Sequence, residues 1–260
     1  MDRRFVVDGN ELVAHLARPL QALAPRPAVV IVHGFPSAPG GGGNSTMTLP
    51  ALADQIVSET GFAALSYASR GVAGAQGDFS LDGWRRDLVG AIDFLESVVE
   101  CDGVWLVGFG TGGALSVVVA AGDQRVRGVA SMAAPADFED WARNPRKLLL
   151  WARETGVVRD PLFPSSFDRW AAELSALRAV EAAESLGERS LLVLHGSDDE
   201  TVPVFDARVI ADACPGADLR IIVGAAHHLR QDPRAVAVLL GWLERQRSSL
   251  QPASPAAEST

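Results

Sequence analysis

The residues with the clearest chemical potential form a glycine-rich turn after an apolar run. Residues 104–107 are all apolar, and Gly108, Gly110 and Gly113 follow before a second apolar stretch. This order predicts a buried strand, a tight turn and a helix. The spacing G-x-G-x-x-G lets a pyrophosphate approach a helix N-terminus, so one hypothesis is a nicotinamide-dependent oxidoreductase.

The context of these glycines argues against a dinucleotide site. The dinucleotide pattern normally follows the first strand of its sheet, whereas here about a hundred residues precede it. The next predicted strand ends at Ser131–Pro135, a segment without the acidic residue that would hold the ribose hydroxyls. We therefore treat the oxidoreductase as the weaker alternative and expect no cofactor.

Two later segments carry residue types suited to acid–base chemistry. Asp199 follows the apolar run 190–194, and His227 follows the apolar run 219–223. An imidazole that is oriented by a carboxylate can act as a general base. Asp198 lies next to Asp199 and is a competing candidate for the carboxylate.

Together, these segments resemble the α/β-hydrolase fold family of the serine-esterase, thioesterase and peptidase type. The glycine-rich turn is similar to that family's nucleophile elbow, G-x-S-x-G. His33–Phe35 resembles its H-G motif, and Ser69–Gly77 resembles its R-G-x-G-x-S-x-G loop in part. The segments around Asp199 and His227 are similar to H-G-x-x-D-x-x-V-P and G-A-x-H. The order of elbow, acid and histidine is the one that this fold uses.

The resemblance, which extends over roughly residues 5 to 245, implies a role for each matching position. Gly110 takes the nucleophile position, where the family has a serine. Asp199 takes the position of the triad acid and His227 that of the triad histidine. The backbone N–H groups of Phe35 and Thr111 take the positions of the oxyanion hole.

The missing serine leaves two functional hypotheses open beside the oxidoreductase. Without a hydroxyl at Gly110, no acyl-enzyme can form. The first hypothesis is a pseudo-enzyme of the esterase type that binds a small acyl or ester-like ligand. The second is a hydrolase in which His227, oriented by Asp199, activates a water molecule. His33 and His195, which precede glycines at predicted strand ends, are interpreted as structural.

These residues need a sheet that presents strand ends along one edge. Continuous apolar runs without alternation are typical of strands buried on both faces of a parallel sheet. Helical patterns lie between the runs, as at residues 84–95 and 236–243. Residues 4–16 suggest an antiparallel hairpin with a turn at Asp8–Asn10. The predicted fold class is therefore α/β, a mostly parallel sheet flanked by helices.

The chain is predicted to have one core and one insertion. We assign residues 1–134 and 187–247 to the α/β-hydrolase core. Residues 135–186 contain no convincing strand, are rich in aromatic residues, and are predicted to be a helical cap insertion. Residues 40–43 are four glycines that predict a flexible loop, and we expect the tail 248–260 to be disordered.

Composition limits the location and partners of the protein. The chain has 260 residues, 48% of them hydrophobic and 21% charged, and a formal net charge of −9, which disfavours general binding to nucleic acid or an anionic membrane. Cys101 and Cys214 do not make a disulfide framework or a zinc motif, so we expect no metal. No signal-peptide pattern or membrane-length apolar run is present. We expect a cytoplasmic protein whose partner is a small molecule.

Overall fold

The structure is a computed structural model that describes residues 2–20, 26–38 and 48–250. The predicted glycine loop at 40–43 lies outside the described residues, as do residues 251–260 of the predicted tail. Residues 248–250, which the sequence predicts as part of the same tail, are instead the last residues of a helix.

In the described part of the chain, eight strands form one sheet in the order β1-β2-β4-β3-β5-β6-β7-β8. The strands are β1 (Asp2–Val7), β2 (Asn10–Ala17), β3 (Arg26–Val32), β4 (Ala63–Ala68), β5 (Cys101–Phe109), β6 (Val126–Met132), β7 (Ser190–Gly196) and β8 (Asp218–Ile222). β1 pairs with β2, and β2 with β4, in antiparallel orientation. All the other neighbours are parallel, so β3 to β8 end at the same edge of the sheet.

Helices cover both faces of the sheet. They are α1 (Leu49–Thr60), α2 (Leu81–Val98), α3 (Thr111–Gly122), α4 (Glu139–Arg143), α5 (Pro145–Glu154), α6 (Phe167–Ala176), α7 (Ala179–Glu184), α8 (Val204–Ala213) and α9 (Pro233–Leu250). Side chains of α1 and α9 pack on one face, and side chains of α2, α3 and α8 pack on the other. This is the layered α/β architecture that the sequence predicts.

The apolar runs explain why the central strands are buried on both faces. In β5, Val104 and Leu106 join the core beneath α2 and α3, while Trp105 and Val107 join the core beneath α1 and α9. A parallel strand covered by helices on both sides needs apolar residues at every position, which is the pattern observed.

The hairpin at the start of the chain closes with two residues in the left-handed region. Asp8 has a φ of 51° and Gly9 a φ of 80°, and Val7 pairs with Asn10. Asp-Gly is the favoured sequence for such a turn because its twist matches that of the flanking strands.

Four helices and no strand occupy the chain between β6 and β7, all of which is described. α4 packs against α5 and α6, and α6 also contacts α2. α7 packs against α3 and α8 and therefore lies in the helical layer on that face. The boundaries of a cap insertion at 135–186 stay a prediction.

Within the described ranges, no helix is both long and apolar enough to cross a membrane.

Candidate active site

Gly110 forms the turn between β5 and α3. Its φ of 53° and ψ of −123° lie in a region that side chains adopt only with strain. The Gly110 N–H donates to the Met132 carbonyl over 2.8 Å, and the Gly110 carbonyl accepts from the Gly113 N–H over 2.9 Å. The turn is therefore fixed by backbone bonds on both sides.

The neighbouring glycines are required by close packing. A Cβ at Gly108 would lie 2.3 Å from the Gly112 carbonyl oxygen, and a Cβ at Gly112 would lie 2.3 Å from the His33 carbonyl oxygen. A Cβ at Gly113 would lie 2.9 Å from the Cβ of Ala134. The spacing that resembles a dinucleotide pattern thus has a structural cause in the contact between strand, turn and helix.

Asp199 and His227 form a hydrogen-bonded pair across two loops. The Nδ1 atom of His227 lies 2.8 Å from Asp199 Oδ2, and Asp199 Oδ1 accepts from the N–H groups of Thr201 and Val202, each over 2.9 Å. The Asp199 carboxylate is fully buried, whereas the competing candidate Asp198 is exposed. The acid that the histidine contacts is therefore Asp199.

The environment of Asp199 favours its charged form. Burial raises the pKa of Asp199, but the hydrogen bonds from His195, His227 and the Val202 backbone outweigh burial. The pKa of this carboxyl is therefore held well below its usual range, and the carboxylate stays charged beside the imidazole.

Gly110 lies directly against His227. A Cβ built at Gly110 would lie 3.5 Å from His227 Nε2 and 3.8 Å from Cε1, with no closer neighbour. These are ordinary van der Waals distances, so the site accommodates a small side chain at this position. The structure thus brings Gly110, Asp199 and His227 together.

His33 fixes the peptide that precedes Phe35. His33 Nδ1 lies 2.8 Å from the Gly34 carbonyl, which can only accept, and His33 Nε2 accepts from the Ser69 N–H over 3.0 Å. Burial lowers the pKa of His33 to about 4, so the ring is neutral and structural. In a trans peptide the N–H points opposite to the carbonyl, so the Phe35 N–H points away from His33.

The two residues predicted to supply the N–H groups of the oxyanion hole border one cavity. Thr111 is the first residue of α3, so its N–H has no acceptor within the helix. Phe35 and Thr111 line the same cavity as Gly110 and His227.

The cavity has a volume of about 360 Å³ and extends from Gly110 to the segment after β6. Its lining residues are Phe35, Gly110, Thr111, Pro135, Asp137, Phe138, Glu139, Asp140, Trp141, Arg143, Trp151, Thr201, Val202, Pro203, Asp206 and His227. One wall is aromatic, because the Phe35 ring centroid lies 4.6 Å from that of Trp151 and 5.3 Å from that of Trp141.

Another part of the lining is acidic. Asp137 and Glu139 are both paired with Arg178, over 3.2 and 2.9 Å. Asp206 accepts from the Ala136 N–H over 3.0 Å, and burial raises the pKa of the Asp206 carboxyl. In the portion of the chain that the structure describes, no three His, Cys, Asp or Glu side chains are arranged to hold a metal ion.

Sequence reasoning did not identify several of these residues as part of the site. The sequence shows only that residues 135–186 are rich in aromatic residues, and Trp141 and Trp151 of this segment border the cavity. His195 is interpreted as structural, yet it contacts Asp199 over 3.3 Å. The sequence indicates this contact only through the position of His195, four residues before Asp199.

The fold and the arrangement of strand ends define an α/β hydrolase. The family model described as X-Pro dipeptidyl-peptidase (S15 family) matches residues 8–228. The chain belongs to this family. A search of curated protein sequences found no match.

Solved structures share the fold at low sequence identity. Est1E from Butyrivibrio proteoclasticus with bound ferulic acid is 18% identical, with a TM-score of 0.73 over 95% of this chain and 99% of that chain. The meta-cleavage product hydrolase CumD from Pseudomonas fluorescens is 18% identical, with a TM-score of 0.66 over 94% and 98%. The enol-lactonase from Burkholderia xenovorans is 18% identical, with a TM-score of 0.65 over 91% and 98%. These likenesses concern the fold, and none of them supports the oxidoreductase alternative.

Proposed function

We propose that this α/β hydrolase lacks ordinary serine-nucleophile activity and binds a small acyl or ester-like ligand beside Gly110. Gly110 takes the nucleophile position, Asp199 and His227 the positions of the acid and base, and the N–H groups of Phe35 and Thr111 hold the ligand's carbonyl oxygen. The observation that carries this proposal is the 3.5 Å distance from a Cβ at Gly110 to His227 Nε2. A serine there would face the base, and glycine supplies no oxygen to form an acyl-enzyme.

The lining of the cavity suggests the charge of the ligand. The four lining carboxylates of Asp137, Glu139, Asp140 and Asp206 outnumber the two guanidinium groups that pair with them, those of Arg178 and Arg143. An anionic acyl group would be repelled by this excess of negative charge. The aromatic wall favours an apolar or cationic group, because ring faces attract cations. We therefore propose a neutral or cationic ligand, and the amine of a peptide, the substrate class in the family's name, meets this requirement.

The loss of nucleophile is tested on the unmodified protein. We expect neither stoichiometric labelling by a fluorophosphonate probe nor rapid turnover of p-nitrophenyl esters or of an X-Pro p-nitroanilide. Stoichiometric labelling or rapid turnover would overturn the proposal.

Ligand binding is tested separately with three analogues of one acyl amide: neutral, carrying a trimethylammonium group, and carrying a carboxylate. Trp141 and Trp151 border the cavity, so binding should change the tryptophan fluorescence. We expect saturable changes with the neutral and cationic analogues and weaker binding of the anionic one. Equal or tighter binding of the anionic analogue would contradict the assigned charge preference.

A second candidate is a hydrolase that uses water, and the orientation of His227 favours it. Its Nδ1 is held by Asp199, which leaves Nε2 directed toward Gly110 and the cavity. A water at Nε2 could then attack a bound ester without an acyl-enzyme. This candidate predicts slow ester hydrolysis without fluorophosphonate labelling, and loss of that rate in His227→Ala. An unchanged rate in the variant would exclude it.

A further inference from the structure

His195 lies at the end of β7 and makes contacts beneath the site. Its side chain is fully buried, and Nε2 lies 3.0 Å from the Val202 carbonyl oxygen and 3.3 Å from Asp199 Oδ2. The Val202 carbonyl can only accept, so the ring carries a proton on Nε2. Nδ1 is buried and has no hydrogen-bond partner among the described residues, which is consistent with a nitrogen that bears no proton.

We propose that His195 is a positioning residue that shares the Asp199 carboxylate with His227. The Nε2–H of His195 donates to the Val202 carbonyl over 3.0 Å, and the same nitrogen lies 3.3 Å from Asp199 Oδ2, the oxygen that receives the Nδ1–H of His227 over 2.8 Å. Because the same Nε2–H also reaches the Val202 carbonyl, His195 fixes the carboxylate and the loop that carries it.

Sharing the oxygen has a consequence for His227. A hydrogen bond to a carboxylate stabilises its charged form and weakens its attraction for another proton donor. Removing the His195 donor should therefore strengthen the hydrogen bond between Asp199 and His227. Other charged or titratable groups nearby are Asp206 from α8 and His228 and Arg230, which follow His227. They remain in place when only His195 is changed.

The test is a comparison of two variants by proton NMR of the His227 Nδ1–H group. His195→Leu fills the buried space without a donor, and His195→Gln retains an N–H group near the position of Nε2. A stronger hydrogen bond moves the resonance of its proton to lower field, so we expect a downfield shift of the Nδ1–H resonance in His195→Leu and a resonance close to that of the unmodified protein in His195→Gln. An equal resonance position in all three folded proteins, or equal shifts in both variants, would overturn the proposal.

A second measurement applies even if His195→Leu does not fold. The ¹⁵N chemical shifts of His195 in the unmodified protein report which ring nitrogen carries the proton. We expect the proton on Nε2, and a proton on Nδ1 alone would overturn the proposal, because Nε2 would then have none to donate to Asp199. The first measurement concerns the Asp199–His227 bond and the second concerns the His195 ring, so neither depends on whether Gly110 stands at a nucleophile position.

Discussion

Gly110 fixes the backbone geometry of the turn beside His227 but carries no side chain that could react. The turn has the positive φ that a glycine accepts without steric cost, and His227 Nε2 lies 3.5 Å from a Cβ built at Gly110. A substitution at Gly110 can therefore introduce a reactive side chain while the surrounding residues stay in place.

Gly110→Ser should create a nucleophile within reach of His227. An Oγ extends one bond beyond a Cβ that lies 3.5 Å from Nε2, which allows a hydrogen bond. We expect ester hydrolysis to increase on the order of 10²-fold or more, the size of a positioned general-base contribution. Labelling by a fluorophosphonate should appear with it. Thermal unfolding should show a cost of about 1–3 kcal/mol, because a non-glycine residue is strained at this φ.

Gly110→Ala is the matched control, since it adds the same Cβ and the same backbone strain without a hydroxyl. It should unfold at nearly the same temperature as Gly110→Ser and show neither labelling nor a gain in turnover. If Gly110→Ser folds and gains neither property, Asp199 and His227 are better explained as structural, and the ligand-binding proposal gains over the water-activating one.

For individual residues, the sequence predicts that Asp199 and His227 lie together but not which side chains surround them. The motifs of Asp199 and His227 are enough to place the pair, because each follows a predicted strand whose end lies at a common sheet edge. The contact of His195 with Asp199 depends on the backbone conformation of the loop after Gly196. The spacing of residues in the sequence does not specify that conformation. The catalytic roles of these residues stay predictions.

Among the elements, two loops hold the acid and the histidine together. The loop after β7 donates from Ser197 N–H to the Ile222 carbonyl and from Asp198 N–H to the Ala225 carbonyl, each over 3.0 Å. The Gly224 N–H donates in return to Ser197 Oγ over 2.8 Å. The Asp199–His227 distance therefore depends on the close approach of these loops.

Gly196→Ala should force the two loops apart. Its Cβ would lie 2.2 Å from the Ala225 carbonyl oxygen, a backbone atom that cannot rotate away. We expect a loss of about 1–3 kcal/mol in urea unfolding, typical of overpacking, and loss of the low-field proton resonance of the Asp199–His227 bond.

Gly122→Ala, which meets no atom within 4 Å, is the control and should be nearly neutral. An equally stable Gly196→Ala with the resonance intact would contradict the role given to this contact.

The loop after β4 is held by a buried ion pair. Asp87, fully buried on α2, accepts from the Arg70 N–H over 2.8 Å and from its guanidinium over 2.7 Å. Asp87→Asn would leave Arg70 with the more exposed Asp8, 3.0 Å away, as its ionic partner, and we expect a loss of about 3 kcal/mol in urea unfolding, at the lower end for a broken buried pair.

Asp93→Asn, on the same helix, breaks an exposed pair with Arg125 and should cost about 1 kcal/mol or less. Similar losses in the two variants would show that the burial of the Arg70–Asp87 pair does not determine its contribution.

The positions of the elements follow from apolar patterning, but their ends do not. The predicted strand at 104–107 is the centre of β5, which extends to Cys101–Phe109 because backbone pairing with β3 and β6 continues beyond the apolar residues. β7 likewise extends through the polar His195 to Gly196. The cavity combines residues from six separate parts of the chain, so no local pattern indicates its shape or its acidic lining.

For the molecule as a whole, buried neutral histidines make stability depend on pH. An unfolded histidine binds a proton with a pKa near 6.5, whereas burial lowers the pKa of His33 to about 4. Between these values the unfolded chain holds more protons than the folded protein, so the free energy of unfolding rises with pH. Burial also lowers the pKa of His228, which acts in the same direction. The lowered pKa of Asp199 affects stability only below about pH 4, outside this window.

Urea unfolding of the full chain at pH 7 and pH 5 therefore tests the burial of His33. We expect the unmodified protein to lose about 2 kcal/mol from His33 between these pH values, since each pH unit below 6.5 costs about 1.4 kcal/mol. His33→Gln lacks this titration and should show a pH dependence smaller by that amount, although it is less stable at pH 7. The difference in pH dependence between the two proteins reports on His33 alone, because His228 is present in both. An identical pH dependence would mean that His33 is protonated as readily in the folded protein as in the unfolded chain. The Nδ1–H bond to Gly34 and the Ser69 N–H bond to Nε2, which fix the peptide before Phe35, would then not both be present.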